Sequence, residues 1–199
     1  MCFGARALVS DGLLGDNRRD GSWGHASVGA WVGGGDEGAL ADGQSNDRIR
    51  DRFNGAVEAM TDAGVEVRPE WVVRCPYDIG LAKEHAQRLL TGRTRPSAII
   101  GGNDIIAQAT LYAARSLGYE VPDSLSVIGI GDFISSAHVE PPLTTVRIPA
   151  NQIGKRAADS IVRMVTQPDG GDGAADRHIL IEPSMKIRRS TSPYRPPEK

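Results

Sequence analysis

From Ala26 onward the sequence alternates short apolar runs with stretches of helical period, and this rhythm restricts the fold more than anything else in the chain. Val28-Gly29-Ala30-Trp31-Val32 ends in Gly33-Gly34-Gly35 and reads as a strand entering a loop. A helix is expected from Asp47 to Ala63, capped by Ser45 or Asn46 and closed by Gly64. Ile49, Phe53, Val57 and Met60 recur at helical spacing and define its expected apolar face. Trp71-Val72-Val73 reads as the second strand. Asp78 then caps a helix running to Leu90, with Ile79, Ala82, Ala86 and Leu89 on one side and Gly92 stopping it. Ala98-Ile99-Ile100 is the third strand. Asn103 caps a helix from Asp104 to Leu117, ended by Gly118 in a left-handed conformation. Ser126 to Ile130 is the fourth strand.

Units of roughly 25–30 residues in this order imply parallel strands with helical crossovers. Continuous apolar strands fit a sheet buried on both faces. The expected fold class is therefore α/β, a doubly wound parallel sheet. Beyond the fourth strand, residues 132 to 149 read as one long connection containing Pro141-Pro142. A helix follows over 150 to 165, with Ile153, Ala157, Ile161 and Met164 on one side. A loose loop over 167 to 176 leads to a last extended stretch over 178 to 188, and the tail 192 to 199 is expected to be disordered. Residues 1 to 23 form an irregular amino segment with one candidate strand over 5 to 10.

Composition excludes several function classes. The 199 residues carry a formal net charge of -2, so the chain as a whole has no basic excess for nucleic acid. Cys2 and Cys75 are too few and too scattered for a disulfide framework, and read as reduced thiols. The start has no signal-peptide pattern, and no apolar run is long enough to span a bilayer. A cytoplasmic location without membrane contact is expected.

In an open parallel sheet, ligands bind outside the carboxyl ends of the strands. That rule selects Asn46, Arg50 and Arg52 after the first strand and Tyr77 after the second. It selects Asn103 and Asp104 after the third, and Gly131 and Asp132 after the fourth. A guanidinium fork, an aromatic plate, an amide and a carboxylate suit a polyhydroxylated molecule. Each has a plainer reading. Asn103 and Asp104 suffice as helix caps, Arg50 as a partner of Asp47 or Asp51, Tyr77 as a half-buried edge residue, and Asp132 as a turn residue.

Catalytic readings find less support. Gly129-Ile130-Gly131 begins like a dinucleotide loop, but Ser135 stands where a third glycine belongs. Gly101-Gly102-Asn103 lacks the lysine of a phosphate loop. His25, His85, His138 and His178 have no metal-ligand spacing, and no Gly-x-Ser-x-Gly elbow occurs. Neither enzyme activity nor a cofactor is expected.

Several segments in order resemble the lactose/galactose-repressor family of bacterial transcription regulators. Arg95-Pro96-Ser97-Ala98-Ile99-Ile100 followed by Asn103-Asp104 is similar to their "RPTAI…ND" stretch. Leu117-Gly118, Val121-Pro122 and Ser124 to Gly129 resemble "LG…VPxDvSVIG". Pro141 to Arg147 resembles "PPLTTVR", Gly154 to Ala158 resembles "G+RAA", and Gly24-His25 resembles the close of "LGH". The resemblance runs from Gly24 to Thr191.

It implies a periplasmic-binding-protein-like fold of type I, with residues 24 to 147 and 177 to 191 as a nearly complete carboxyl lobe. Residues 148 to 166 would be a helix of an amino lobe that is otherwise mostly missing, its apolar face exposed or covered by another chain. The resemblance implies effector contacts from Arg52, Tyr77, Asn103, Gly131 and Asp132. The family usually has two acids after the fourth strand; here the pair is Gly131-Asp132, so the first acid is lost. A lost acid near Arg52 favours an anionic ligand such as a sugar acid over a neutral sugar. Also implied are a homodimer and operator DNA bound only through a helix-turn-helix head absent from this sequence. With one wall of the cleft missing, weak or no effector binding is expected. The competing reading is an exported sugar-binding protein of a transporter.

Overall fold

A computed structural model describes residues 30–32, 47–65, 67–166 and 179–193. The candidate strand over 5 to 10, the glycine loop after Val32, the caps Ser45 and Asn46, the loop 167 to 176 and the end of the tail lie outside these residues.

The strands are β1 (Ala30–Val32), β2 (Val72–Val73), β3 (Ala98–Gly101), β4 (Ser126–Gly131), β5 (Thr144–Arg147) and β6 (Ser184–Lys186). They form one sheet in the order β2-β1-β3-β4-β5-β6. The first five are parallel, and β6 joins β5 antiparallel, with Val146 opposite Met185. The helices are α1 (Asp47–Asp62), α2 (Ile79–Leu90), α3 (Asp104–Ser116) and α4 (Ala150–Thr166). The expected doubly wound α/β fold is present, with an antiparallel edge added.

Strand alternation sorts the core into two layers. Ile99 and Val127 point to one face, where they meet Ala82, Leu89 and Leu90 of α2 and Ile106 and Ala107 of α3. Ile100 and Ile128 point to the other, where Ala56, Met60 and Ala63 of the α1 segment cover them. Both faces are therefore dry, and unbroken apolar strands are tolerated. The crossovers change direction at β1: β2 lies to one side of it and β3 to the other. In open sheets of this kind, such a switch at the carboxyl ends of the strands is where small molecules bind.

The helix ends match their sequence signals. The Asp78 carboxylate accepts from Leu81 N at 2.8 Å and the Asn103 side chain from Ile106 N at 3.0 Å. Gly64 and Gly118 take positive φ of 72° and 78° and turn the chain out of α1 and α3. At the end of α2, Thr91 rather than Gly92 caps, its hydroxyl donating to Gln87 O at 2.9 Å.

Four expectations need correction. The buried side of α1 is Ala56, Ala59 and Met60, with Ile49, Phe53 and Val57 only half-buried. Small alanines let α1 approach the sheet, and the larger residues flank that contact. Ile79 is exposed rather than part of the α2 core face, which is made by Ala82, Ala86, Leu89 and Leu90. Trp71 lies in a 3-10 turn, Pro69–Trp71, leaving β2 only two residues long. The connection after β4 is not loop throughout. It holds a 3-10 turn, Ile134–Ala137, and the strand β5. Thr144 and Thr145 made β5 look polar, yet both are fully buried because their hydroxyls are bonded.

No residue of α4 is buried, and Ile153, Ile161 and Met164 are all exposed. Among the described residues no helix is long and apolar enough to cross a membrane.

Candidate functional site

At the β1/β3 switch, α1 and the β3–α3 junction come together. Arg52, one turn into α1, reaches over the carboxyl end of β3 and donates to Gly102 O at 3.2 Å. Among the described residues that carbonyl is its partner, and no carboxylate of theirs pairs with it. Burial lowers the Arg52 pKa, and neighbouring Arg48 adds to this; Tyr77 and Asp104 partly offset both. A partly desolvated guanidinium with no carboxylate bonded to it directly is costly, and an anion at this mouth would relieve it.

Tyr77 follows β2 and is 61% exposed. The half-buried-edge alternative for it therefore fails. Its phenol is raised by burial, with Arg52 opposing and Asp104 adding to the shift, so the three groups sense one another. Asn103 uses Oδ1 as a helix cap, and its Nδ2 has no partner among the described residues. Capping and ligand donation are thus compatible roles. Arg50 pairs with neighbouring Asp51 at 3.7 Å, in line with its plainer reading.

The two acids behave differently from simple ligand groups. Asp104 is fully buried. Its Oδ2 accepts from Phe133 N at 2.8 Å and Ser136 Oγ at 2.5 Å, and its Oδ1 from Thr145 Oγ1 at 2.5 Å. It ties the start of α3 to the β4 loop and to β5. Gly129 lies beneath this hub: a Cβ there would collide with Asp104 Oδ1. Asp132 has a side chain only 4% exposed, clamped by Arg188 Nη2 at 2.6 Å and Arg147 Nε at 2.5 Å. Its backbone takes φ 56° and its N–H donates to Thr145 Oγ1 at 3.3 Å. The turn-residue reading therefore holds for its backbone, while its carboxylate is occupied by two arginines.

Burial pushes the Asp132 carboxyl up, but hydrogen bonds and charge from Arg188 and Arg147 outweigh this and hold it below its ordinary 3.8. A depressed folded value means the clamp's contribution is fully present above the unfolded value. It is lost as pH falls through the folded one. The Asp132→Asn variant is accordingly expected to lose less stability than the parent between pH 5 and pH 3, roughly the range where unfolded carboxyls titrate. Denaturant midpoints at the two pH values check this; parallel losses would show that Asp132 does not drive the change.

Gly131 has φ 141°, and a Cβ there would lie 2.8 Å from Phe133 Cε1. The ring of Phe133 occupies the room a side chain at 131 would need. The reading of the sequence missed Phe133, and also Arg147 and Arg188, which hold the loop. Only the rule of looking just past each strand would have reached Phe133, one residue beyond Asp132.

The buried Cys75 thiol is pushed up to about 11, chiefly by burial and then by Asp78, so it stays protonated at neutral pH. Among the described residues no cluster of three or more histidines, cysteines or acids is placed to hold a metal.

Sheet order and crossovers define a doubly wound α/β domain. Residues 25–191 match the model for the periplasmic binding protein-like domain, and the chain belongs to that family. It is 33% identical over 172 residues to the HTH-type transcriptional regulator DegA of Bacillus subtilis, covering 86% of this chain and 47% of that protein. It is 30% identical over 193 residues to the HTH-type transcriptional repressor PurR of Photobacterium profundum, covering 96% of this chain and 55% of that one. The chain thus spans about half the length of these relatives. A crystal structure of a LacI-family regulatory protein from Chloroflexus aggregans superposes with a TM-score of 0.72 at 25% identity, covering 95% of this chain and 59% of that one.

Proposed function

We propose that this chain is the effector-sensing part of a bacterial transcription regulator, and that its effector is a hydroxylated organic acid of the sugar-acid type. The observation that carries the acid is Arg52, half-buried at the switch point with a backbone carbonyl as partner and no acid paired to it. Loss of an acidic side chain at Gly131 removes a competing negative charge from the same rim. Asn103 Nδ2 is available to hydroxyl oxygens, and Tyr77 offers a flat exposed face for C–H groups. Asp132 serves as a loop anchor and does not contact the ligand. Effector binding would reach DNA through a head carried outside this sequence, by favouring one arrangement of the two lobes over another.

The test is a titration followed by protein NMR, which reads millimolar as well as micromolar binding. Gluconate is expected to bind at least about tenfold tighter than glucose, the effect of one charge-assisted hydrogen bond. In Arg52→Ala that preference disappears while the fold remains. Tighter binding of glucose, or no binding of gluconate, would overturn the proposal.

A further inference from the structure

Helix α1 brings a second cation toward the switch point. Arg48 stands one turn before Arg52 on the same side of the helix. Side chains at that spacing are neighbours, with Cβ atoms about 5–6 Å apart. This side of α1 looks over the carboxyl end of β3, because Arg52 donates to Gly102 O there at 3.2 Å. Arg48 is exposed. The two guanidiniums feel one another: burial lowers the Arg52 pKa most, and Arg48 lowers it next. Like charges at this spacing are unfavourable, and the amino end of a 16-residue helix adds to the positive field.

The acids of the neighbouring described segments are already engaged. Asp104 is buried beneath three donors, and Asp132 lies between Arg147 and Arg188. The Asp78 carboxylate caps α2, and Asp51 pairs with Arg50. Any surface contact that Arg48 makes is exchangeable, because exposed ion pairs contribute little.

We infer that Arg48 is a specificity-determining residue, giving the mouth a second anion seat that selects a hydroxylated dicarboxylate over an acid with one charge. This rests on the organic-acid reading above and narrows it. Arg52 takes one carboxylate. Arg48, one turn away and nearer solvent, takes the other, and Asn103 Nδ2 serves the hydroxyls between them. A dianion neutralises the repulsion between the two guanidiniums, which a single charge relieves only in part.

Glucarate and gluconate share a hydroxylated chain and differ at one end, a carboxylate in the first and a hydroxymethyl group in the second. Their comparison on the whole chain, by the same NMR titration, isolates the second charge. Glucarate is expected to bind about fivefold tighter at low salt, the size of one well-placed exposed ion pair. Raising the salt shrinks that preference. In Arg48→Ala the difference falls to within about twofold, and in Arg48→Glu gluconate becomes the tighter ligand. Arg48 is exposed in the first turn of α1, so both variants keep the fold, which their NMR spectra verify. Equal binding of the two acids, with gluconate still preferred over glucose, overturns the second seat and leaves the acid reading intact. A glucarate preference that persists unchanged in Arg48→Ala also overturns the role of Arg48. Failure of both acids to bind overturns the two proposals together.

Discussion

Replacing Asp104 with alanine is expected to lower stability by about 3–5 kcal/mol, read from urea denaturation at neutral pH. The carboxylate is fully buried and accepts from a backbone N–H and two hydroxyls on two different segments. Truncation leaves Phe133 N, Ser136 Oγ and Thr145 Oγ1 facing a cavity, and each orphaned buried donor costs about 1–3 kcal/mol. Partial relaxation of the loop keeps the total below the simple sum. Gly129→Ala acts on the same group from below, because its methyl would strike Asp104 Oδ1, Leu143 and Ala107. The two substitutions should therefore be strongly non-additive: Gly129→Ala should cost less in the Asp104→Ala background than in the parent. A loss under about 1 kcal/mol for Asp104→Ala would mean that water replaces the carboxylate at little cost.

Trp71→Ala should cost a similar amount, about 3–5 kcal/mol, for a different reason. The indole is 1% exposed and belongs to the cluster that joins α2 and α3 to the sheet. Its Nε1–H donates to Thr94 O at 3.3 Å, and the Arg68 guanidinium stacks 4.8 Å from the ring centroid. Removing it deletes a large apolar volume, orphans the Thr94 carbonyl and loosens β2, which has only two residues to hold it. Trp71→Phe keeps most of the volume and loses the hydrogen bond, so it should fall between parent and alanine. Equal losses for Phe and Ala would place the energy in the indole N–H rather than in packing.

Much of this was legible because local signals and tertiary demands agreed. Asp78 and Asn103 announce caps that exist, and Gly64 and Gly118 announce left-handed ends that exist. Apolar strands between amphipathic helices announce a sheet buried on both faces. Where reading failed, burial was achieved by hydrogen bonding instead of by apolar side chains. Thr144 and Thr145 look like loop residues until their hydroxyls find Thr191, Arg188 N and Asp104. Those partners lie far away in sequence, and a window of neighbouring residues cannot reveal them.

The candidate site divides in the same way. Arg52, Tyr77 and Asn103 were found by position alone, just past strand ends, and the structure places Arg52 and Asn103 together at the switch point. Asp132 was found by the same rule, but its carboxylate is held between Arg147 and Arg188, 15 and 56 residues further along the chain. Asp104 was read as a possible rim residue; it faces inward and holds the rim together. Position near a mouth can be read from sequence, whereas the direction a short acid turns depends on partners that only the fold supplies.

The return segment after β6 carries a consequence for biosynthesis. Ser190 lies against β4 and β5: its carbonyl accepts from Val127 N at 2.7 Å, and its hydroxyl bonds Val127 O at 2.6 Å and Thr144 N at 2.8 Å. Nascent chain emerging from the ribosome can pair β1 through β5 early, but the outer edge of β5 and the start of β4 at Val127 stay unpaired until residue 190 clears the exit tunnel. Pairing across such a long stretch of sequence is slow. Translation speed around residue 190, and chaperone capture during that interval, should therefore affect the yield of native protein.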